Sequence, residues 1–184
     1  MKKLILITSF ALLSCGEDEG AKIECSGGHH KDVAGLEICS EGKISTAEIE
    51  YMVQVVEQQT AIRYPEVKDL PKALKDHSVK VYFVDDDMAV KCEEIEYDVY
   101  RCDSNVSGVN VDGHNIYVRY YPCLAYTSLG HELLHSIESY YLDTPDDVDH
   151  TTPWLFEIGN MDNYKDTVEY KIFEISYPNL ESCQ

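Results

Sequence analysis

Basic residues are scarce in this sequence. Lysine and arginine together number 15, against 34 aspartates and glutamates, so the formal net charge at pH 7 is −19. A surface this acidic repels phosphate backbones, which excludes nucleic acid as an expected partner. The chain has 184 residues, a length that suggests one domain with its own core and leaves little room for a second. We therefore expect a single acidic domain that acts as a monomer.

Other absences in the sequence exclude further classes of protein. No CxxC pair occurs, which argues against a metal site built from cysteines. No internal repeat is visible, and the apolar run near the N-terminus is too short to cross a bilayer as a mature helix. With 44% hydrophobic and 27% charged residues, the composition is that of a protein that folds.

The N-terminus has the pattern of an export signal. Two lysines precede an apolar run from Leu4 to Leu13, as in a secretory leader. The following "LLSC" resembles the lipobox at which bacterial lipoproteins are cleaved, so we predict a signal peptide over residues 1–14 and lipid on Cys15. Gly16 stands where an inner-membrane retention signal would favour Asp, which points to the outer membrane or cell surface. A plain signal peptide cut nearby is the alternative.

Six cysteines follow Cys15, out of seven in the chain. An even number in an exported protein suggests disulfides, although six cysteines allow 15 pairings and the sequence cannot choose among them. Our working assignment joins two local pairs and ties the C-terminal tail to the segment before the second predicted helix. The pairs are Cys25 with Cys39, Cys92 with Cys102, and Cys123 with Cys183.

The remaining chain divides into a linking segment and a folded domain. We expect residues 15–42 to be the lipidated cysteine followed by an acidic tether and an irregular, Gly-rich stretch. Residues 43–184 form the predicted domain. It opens with a helix, because "STAE" at Ser45 is a capping box and Ile44 with Ile49 supplies a hydrophobic staple. Apolar or small residues recur at helical spacing and predict its core face: Ile49, Met52, Val53, Val56 and Thr60.

Strands and a second helix are predicted after this first helix. The β-branched and aromatic runs at 79–87, 94–101 and 106–121 indicate strands, the last containing a tight turn at Asp112 and Gly113. From Tyr126 to Tyr141 the pattern is helical again, with Leu129, Leu133 and Ile137 directed at a core. The fold class is therefore α+β.

The second predicted helix contains "GHELLHSIE", which includes the candidate metal ligands and a candidate general base. His131 and His135 are four residues apart and share a helix face, so the two side chains can hold one ion. Glu132 lies about 100° further round the helix, beside that ion, where it suits a base that takes a proton from water. The spacing predicts a Zn²⁺ site. The alternative is a helix with two histidines in register by chance.

This segment resembles the active-site helix of the zincin metallopeptidases, and the order of elements fits that superfamily over roughly the central hundred residues. The resemblance implies a zincin-like domain: an N-terminal helix, a small twisted, mostly antiparallel sheet whose edge strand holds an extended peptide, the HExxH helix, and a short C-terminal subdomain. The chain is not an ordinary metzincin. Glu138 and Tyr141 stand where the metzincin pattern has Gly and the third His.

A catalytic zinc usually has three protein ligands and one open position. The segment "YLDTPDDVDHTTPWLFE" supplies the candidates for the third ligand. It resembles a loop of small exported bacterial proteins that carry HExxH, which favours His150. Glu157, in the manner of gluzincins, is the alternative, and Asp146, Asp147 and Asp149 remain open.

We therefore expect a zinc-dependent endopeptidase that acts on a peptide or protein substrate, with Glu132 as general base and then proton donor. Two other classes stay open. One is a non-catalytic cell-surface binding module that retains a zincin frame and its metal. The other is a disulfide-stabilised adhesin without metal. Membrane association is expected through the lipid anchor alone.

We predict that Cys15 is the mature N-terminal residue and carries a diacylglyceryl group, because the lipobox-like "LLSC" follows a basic and apolar leader. Intact mass spectrometry of the native protein should give a mass that begins at Cys15 and includes lipid. A mature chain that begins elsewhere and has no lipid mass would contradict this.

Overall fold

The computed structural model describes residues 29–40, 44–84, 108–110, 113–120, 123–142, 152, 155–156 and 164–184. Several predicted features lie outside these ranges: the signal peptide, the strand at 94–101, Cys15, Cys25, Cys92, Cys102, His150 and Glu157. Within the described ranges, no helix combines the length and hydropathy needed to cross a membrane.

The described residues form an α+β fold, as the sequence predicts. The strands are β1 (His29–Val33), β2 (Leu36–Ser40), β3 (Lys80–Val84), β4 (Gly108–Asn110) and β5 (Asn115–Arg119). The helices are α1 (Thr46–Arg63), α2 (Leu70–Asp76), α3 (Leu124–Ile137) and α4 (Val168–Ser176). One π-helical turn, Glu138–Leu142, continues α3. Short 3₁₀ turns lie at Tyr164–Asp166, Tyr177–Asn179 and Glu181–Cys183.

The five strands form one sheet in the order β1-β2-β3-β5-β4. The outer pairs β1–β2 and β4–β5 are antiparallel, whereas β2–β3 and β3–β5 are parallel. The expectation of a mostly antiparallel sheet is therefore wrong, and the sheet is mixed. Parallel neighbours require a long crossover, and the chain between β2 and β3 supplies one that contains α1 and α2. The predicted hairpin is confirmed by β4 and β5, which are joined through Gly113.

The expectation of an irregular segment before residue 43 is wrong for residues 29–40. These residues form the hairpin β1–β2, whose two-residue turn has positive φ at both Ala34 and Gly35. Such a turn matches the twist of the flanking strands. Leu36 and Ile38 are fully buried, so the alternation that defines a strand is present. The neighbouring Gly- and His-rich stretch obscured it.

The predicted start of α1 is confirmed, but only half of the predicted capping box forms, because the Ser45 N–H and the Glu48 carboxylate bond to other partners rather than to each other. Ser45 Oγ accepts from the Glu48 backbone N–H at 3.3 Å. The Ser45 N–H donates to the Tyr126 hydroxyl on α3 at 2.8 Å. The Glu48 carboxylate accepts from both the N–H and the hydroxyl of Ser182, at 2.9 and 2.8 Å. The beginning of α1 thus joins α3 to the C-terminal tail.

One hydrophobic core unites the described elements. The predicted stripe of α1 is buried throughout, and Leu129, Leu133 and Ile137 of α3 are fully buried. The C-terminal residues Val168 and Ile172 belong to this same core. Helix α4 packs directly on α1 and α3, and the expected short C-terminal subdomain stays a prediction.

A disulfide joins Cys123 to Cys183, in agreement with the working assignment. It ties the residue before α3 to the chain's last 3₁₀ turn. Cys39 is also disulfide-bonded. Its pairing with Cys25 stays a prediction, since Cys25 lies outside the described residues.

Replacing both Cys123 and Cys183 by Ser should lower the free energy of unfolding by roughly 2 to 4 kcal/mol, because the bond closes a long loop. Urea denaturation of the double variant and the wild type, both without reductant, measures the difference. The double variant avoids leaving an unpaired thiol. An unchanged free energy of unfolding would contradict the role given to this bond.

Candidate metal centre

Helix α3 brings the predicted motif together. Potential ligand atoms of His131, Glu132 and His135 all lie within 4.8 Å of one another. The i and i+4 spacing of the histidines puts their rings on one face, where the ring centroids are 5.2 Å apart. The three residues therefore form a candidate metal site.

The first histidine is held by a carboxylate from α4. His131 Nδ1 lies 2.6 Å from Glu169 Oε1. Because an ionised carboxylate can only accept, the imidazole Nδ1–H donates, and the Nε2 lone pair remains available for a metal. The contact spans 38 positions of sequence, and no local pattern connects the two residues.

The second histidine is held in the same way from its own helix. His135 Nδ1 lies 3.2 Å from Glu138 Oε2, and the Thr152 hydroxyl donates to the other oxygen of that carboxylate. Glu138 is 0% exposed and is the first residue of the π-helical turn. A buried carboxylate is tolerated because both of its oxygens accept hydrogen bonds. Glu138, noted from sequence only as a departure from the metzincin pattern, is therefore a partner of the metal-site histidine.

An aromatic ring packs against both imidazoles. The Phe156 ring centroid lies 4.7 Å from that of His135 and 5.3 Å from that of His131, and Phe156 is fully buried. This contact restricts the rotation of both histidine rings. Phe156 directly precedes Glu157 in the chain, and Thr152 follows His150 by two positions.

Glu132 lies against the strand β4. Its side chain is 5% exposed, and a Cβ placed on Gly108 would lie 2.7 Å from Glu132 Oε1. Any larger residue at position 108 would therefore displace this carboxylate. Asn110 on the same strand donates through its side-chain amide to the Glu132 backbone carbonyl at 2.9 Å and to the Ser136 hydroxyl at 3.0 Å. These contacts fix β4 to the motif.

Gly130, the residue before His131, allows α1 and α4 to pack closely against α3. A Cβ on Gly130 would lie 2.6 Å from Met52 Cε of α1 and 3.2 Å from Ile172 Cγ2 of α4. The absent side chain lets both helices approach α3, and the approach of α4 brings Glu169 to His131.

These elements enclose a cavity of about 400 Å³ beside the motif. It lies between β4, α3 and α4, and both His131 and Glu132 line it. Residues from all three elements complete the lining: Gly108, Thr127, Ser128, Gly130, Leu134, Glu169, Ile172 and Phe173.

The electrostatics of the site are dominated by carboxylates. Burial lowers the pKa of His131, but the hydrogen bond to Glu169 and the charges of Glu132, Glu169 and Glu138 outweigh it. The pKa of His131 is therefore raised above its usual value. The acidic surroundings favour positive charge at this position, whether it is a proton or a metal cation.

The donor set fits a transition metal. Two imidazoles with their Nδ1 atoms occupied by carboxylates offer two Nε2 donors, a common arrangement at zinc and related sites. His150 and Glu157 lie outside the described residues, so the structure joins His131, Glu132 and His135 without a third predicted ligand. Sequence reasoning missed Glu169, Phe156, Gly108 and Asn110, which act on the site from other elements.

Comparisons with protein-family models, with curated proteins and with solved structures found no match. The fold and the site together define an α+β domain with a His-Glu-x-x-His candidate metal site.

Replacing Glu169 by Gln should weaken zinc affinity by roughly 10- to 100-fold, because the Nδ1–H of His131 loses its charged acceptor. Competition against a chromophoric chelator measures the dissociation constant. The matched control is Glu174→Gln on the same helix, where the exposed carboxylate pairs with Lys171. Equal zinc affinities for the two variants would contradict the role of Glu169.

Proposed function

We propose that this chain is a zinc-dependent endopeptidase of the zincin type. The observation that carries the proposal is the buried Glu132 carboxylate, which lies within 4.8 Å of the potential ligand atoms of two carboxylate-held histidines. A site that only stores a metal or stabilises a fold has no need of such an acid. The cavity that His131 and Glu132 line supplies room for a substrate.

His131 and His135 would hold the zinc through their Nε2 atoms. When bound, zinc acts as a Lewis acid that polarises water and carbonyl groups. We propose His150 as the third ligand and Glu157 as the alternative. Both assignments are supported by chain neighbours, because the Thr152 hydroxyl contacts Glu138 and the Phe156 ring contacts both histidine rings.

Glu132 would move the proton. It accepts a proton from the attacking water as the water oxygen forms a bond to the peptide carbonyl carbon. The carbon–nitrogen bond then breaks, and Glu132 gives the proton to the leaving nitrogen. The products are an amine and a carboxylic acid, which releases the second proton of the water to solvent as it ionises. Its contact with Gly108 and its burial hold the carboxylate in one place for both transfers.

The peptide would lie extended along β4. This strand is last in the described sheet order, and its Gly108 directly adjoins Glu132. Pairing of a peptide with a terminal strand uses backbone hydrogen bonds and leaves its side chains alternating in direction. Such a pose would place a scissile bond beside the base. We also propose that the enzyme acts outside the cytoplasm, anchored through Cys15.

Glu132→Gln should retain zinc with little change in affinity and lose hydrolysis by about 100-fold or more, because it removes only the proton acceptor. Zinc content by metal analysis and cleavage of a mixed peptide library measure the two properties. His135→Ala is the matched comparison and should lose both.

Two further variants assign the third ligand. His150→Ala should reduce zinc retention about as much as His135→Ala. If His150→Ala keeps zinc and activity while Glu157→Ala loses both, Glu157 is the ligand. Wild-type protein that takes up no zinc would overturn the peptidase proposal, and so would zinc-loaded protein that cleaves no peptide.

A further inference from the structure

One face of α4 continues from the candidate metal centre into an apolar surface. Glu169, Ile172 and Phe173 all line the cavity that contains His131 and Glu132. Their i, i+3 and i+4 spacing places them on the same side of the helix. Glu169 accepts a hydrogen bond from His131. Ile172 and Phe173 therefore lie about one helical turn beyond that hydrogen bond.

The outer part of this apolar surface is exposed to solvent, whereas Ile172 is buried. Phe173 is 49% exposed and Tyr177 is 47% exposed. Their ring centroids lie 5.3 Å apart, with Phe173 on α4 and Tyr177 at the start of the 3₁₀ turn that follows it. Among the described residues, the third large hydrophobic side chain with such exposure is Ile62 on α1. Single exposed apolar residues are ordinary, whereas the contact of Phe173 with Tyr177 extends the apolar lining of the cavity out to the protein surface.

We infer that Ile172, Phe173 and Tyr177 form a subsite that accepts a large apolar or aromatic side chain of the peptide, next to the scissile bond. The inference rests on the proposed peptidase function and names its substrate class. A bound side chain would cover the exposed ring of Phe173, which is the main gain of free energy. The surface is continuous with the catalytic cavity, so its occupant is part of the substrate rather than a separate partner.

The carboxylates in the cavity add to the preference for an apolar over an acidic substrate side chain. Glu132 and Glu169 both line it, and the whole chain carries a net charge of −19. An acidic substrate side chain would therefore be repelled. A lysine could be attracted by these carboxylates instead, so a basic peptide is the direct competitor of the apolar one.

The test uses five quenched fluorescent peptides that differ at one position beside the cleavage site, which holds Phe, Leu, Ala, Lys or Asp. Zinc-loaded full-length wild type, Phe173→Ala, Phe173→Leu and Ile62→Ala are compared by kcat/KM. Ile62→Ala is the matched control, because it also removes an exposed large apolar side chain but lies on another helix. Thermal unfolding confirms that all variants are folded.

We expect the wild type to prefer the Phe and Leu peptides over the Ala and Asp peptides by roughly tenfold or more, the usual discrimination of an apolar pocket. Phe173→Ala should reduce this ratio to about twofold, mainly through KM, and Phe173→Leu should recover most of it. Ile62→Ala should keep the wild-type ratio. Equal cleavage of all peptides, preference for Lys, or equal ratios in Phe173→Ala and Ile62→Ala would overturn the subsite while leaving the peptidase proposal intact.

Binding separates this failure from failure of the proposed function. If no peptide is cleaved, the same sequences carrying a fluorophore are titrated with the wild type and Phe173→Ala, and polarisation is measured. Tighter binding of the Phe peptide than of the Asp and Lys peptides, lost in Phe173→Ala, supports the subsite without catalysis. Equal affinities, or no binding, overturn it.

Discussion

The hydrogen bond from His131 to Glu169 is the contact on which the geometry of the site depends. It connects α3, which carries the motif, to α4, which closes one side of the cavity. Gly130 permits the approach of the two helices. The Cys123–Cys183 bond restrains the chain on both sides of this contact, since it joins the residue before α3 to the turn beyond α4. The packing of α4 on α3 therefore also sets the geometry of the site.

The two histidines are supported by similar chemistry in different surroundings. The side chains of His131 and Glu169 are each 28% exposed, whereas those of His135 and Glu138 are 8% and 0% exposed. A fully buried carboxylate is costly unless both oxygens are satisfied, and the Thr152 hydroxyl supplies the second contact. One support is therefore fully buried and lies in the helical turn that continues the motif's own helix. The other depends on the docking of α4.

The cavity is lined by both polar and apolar side chains. His131 and Glu132 of α3 and Glu169 of α4 contribute one imidazole and two carboxylates, whereas Ile172 and Phe173 of α4 contribute apolar surface. The strand β4 forms the opposite side, where Asn110 and Gly108 bring backbone and base together. Three elements distant in sequence, β4, α3 and α4, therefore meet around one cavity.

Local patterns in the sequence were sufficient for α1, α3, the β4–β5 hairpin and the grouping of His131, Glu132 and His135. Each of these depends on residues a few positions apart, whose spacing directly sets which side chains share a face. The predicted pairing of Cys123 with Cys183 also agrees with the structure. The β1–β2 hairpin had a readable signal in its alternating residues, but the adjoining glycines and histidines favoured a loop.

Tertiary structure alone decided the sheet pairing and the surroundings of the motif. Parallel pairing of β2, β3 and β5 depends on crossovers, which local periodicity does not specify. Glu169, Phe156 and Gly108 reach the site from elements distant in sequence, so no spacing rule identifies them. The sequence by itself identified His131, Glu132 and His135 as candidate metal-binding residues. The packing of α4 and β4 on α3 determined how those residues are oriented, because orientation arises from contacts that exist only after the chain has folded.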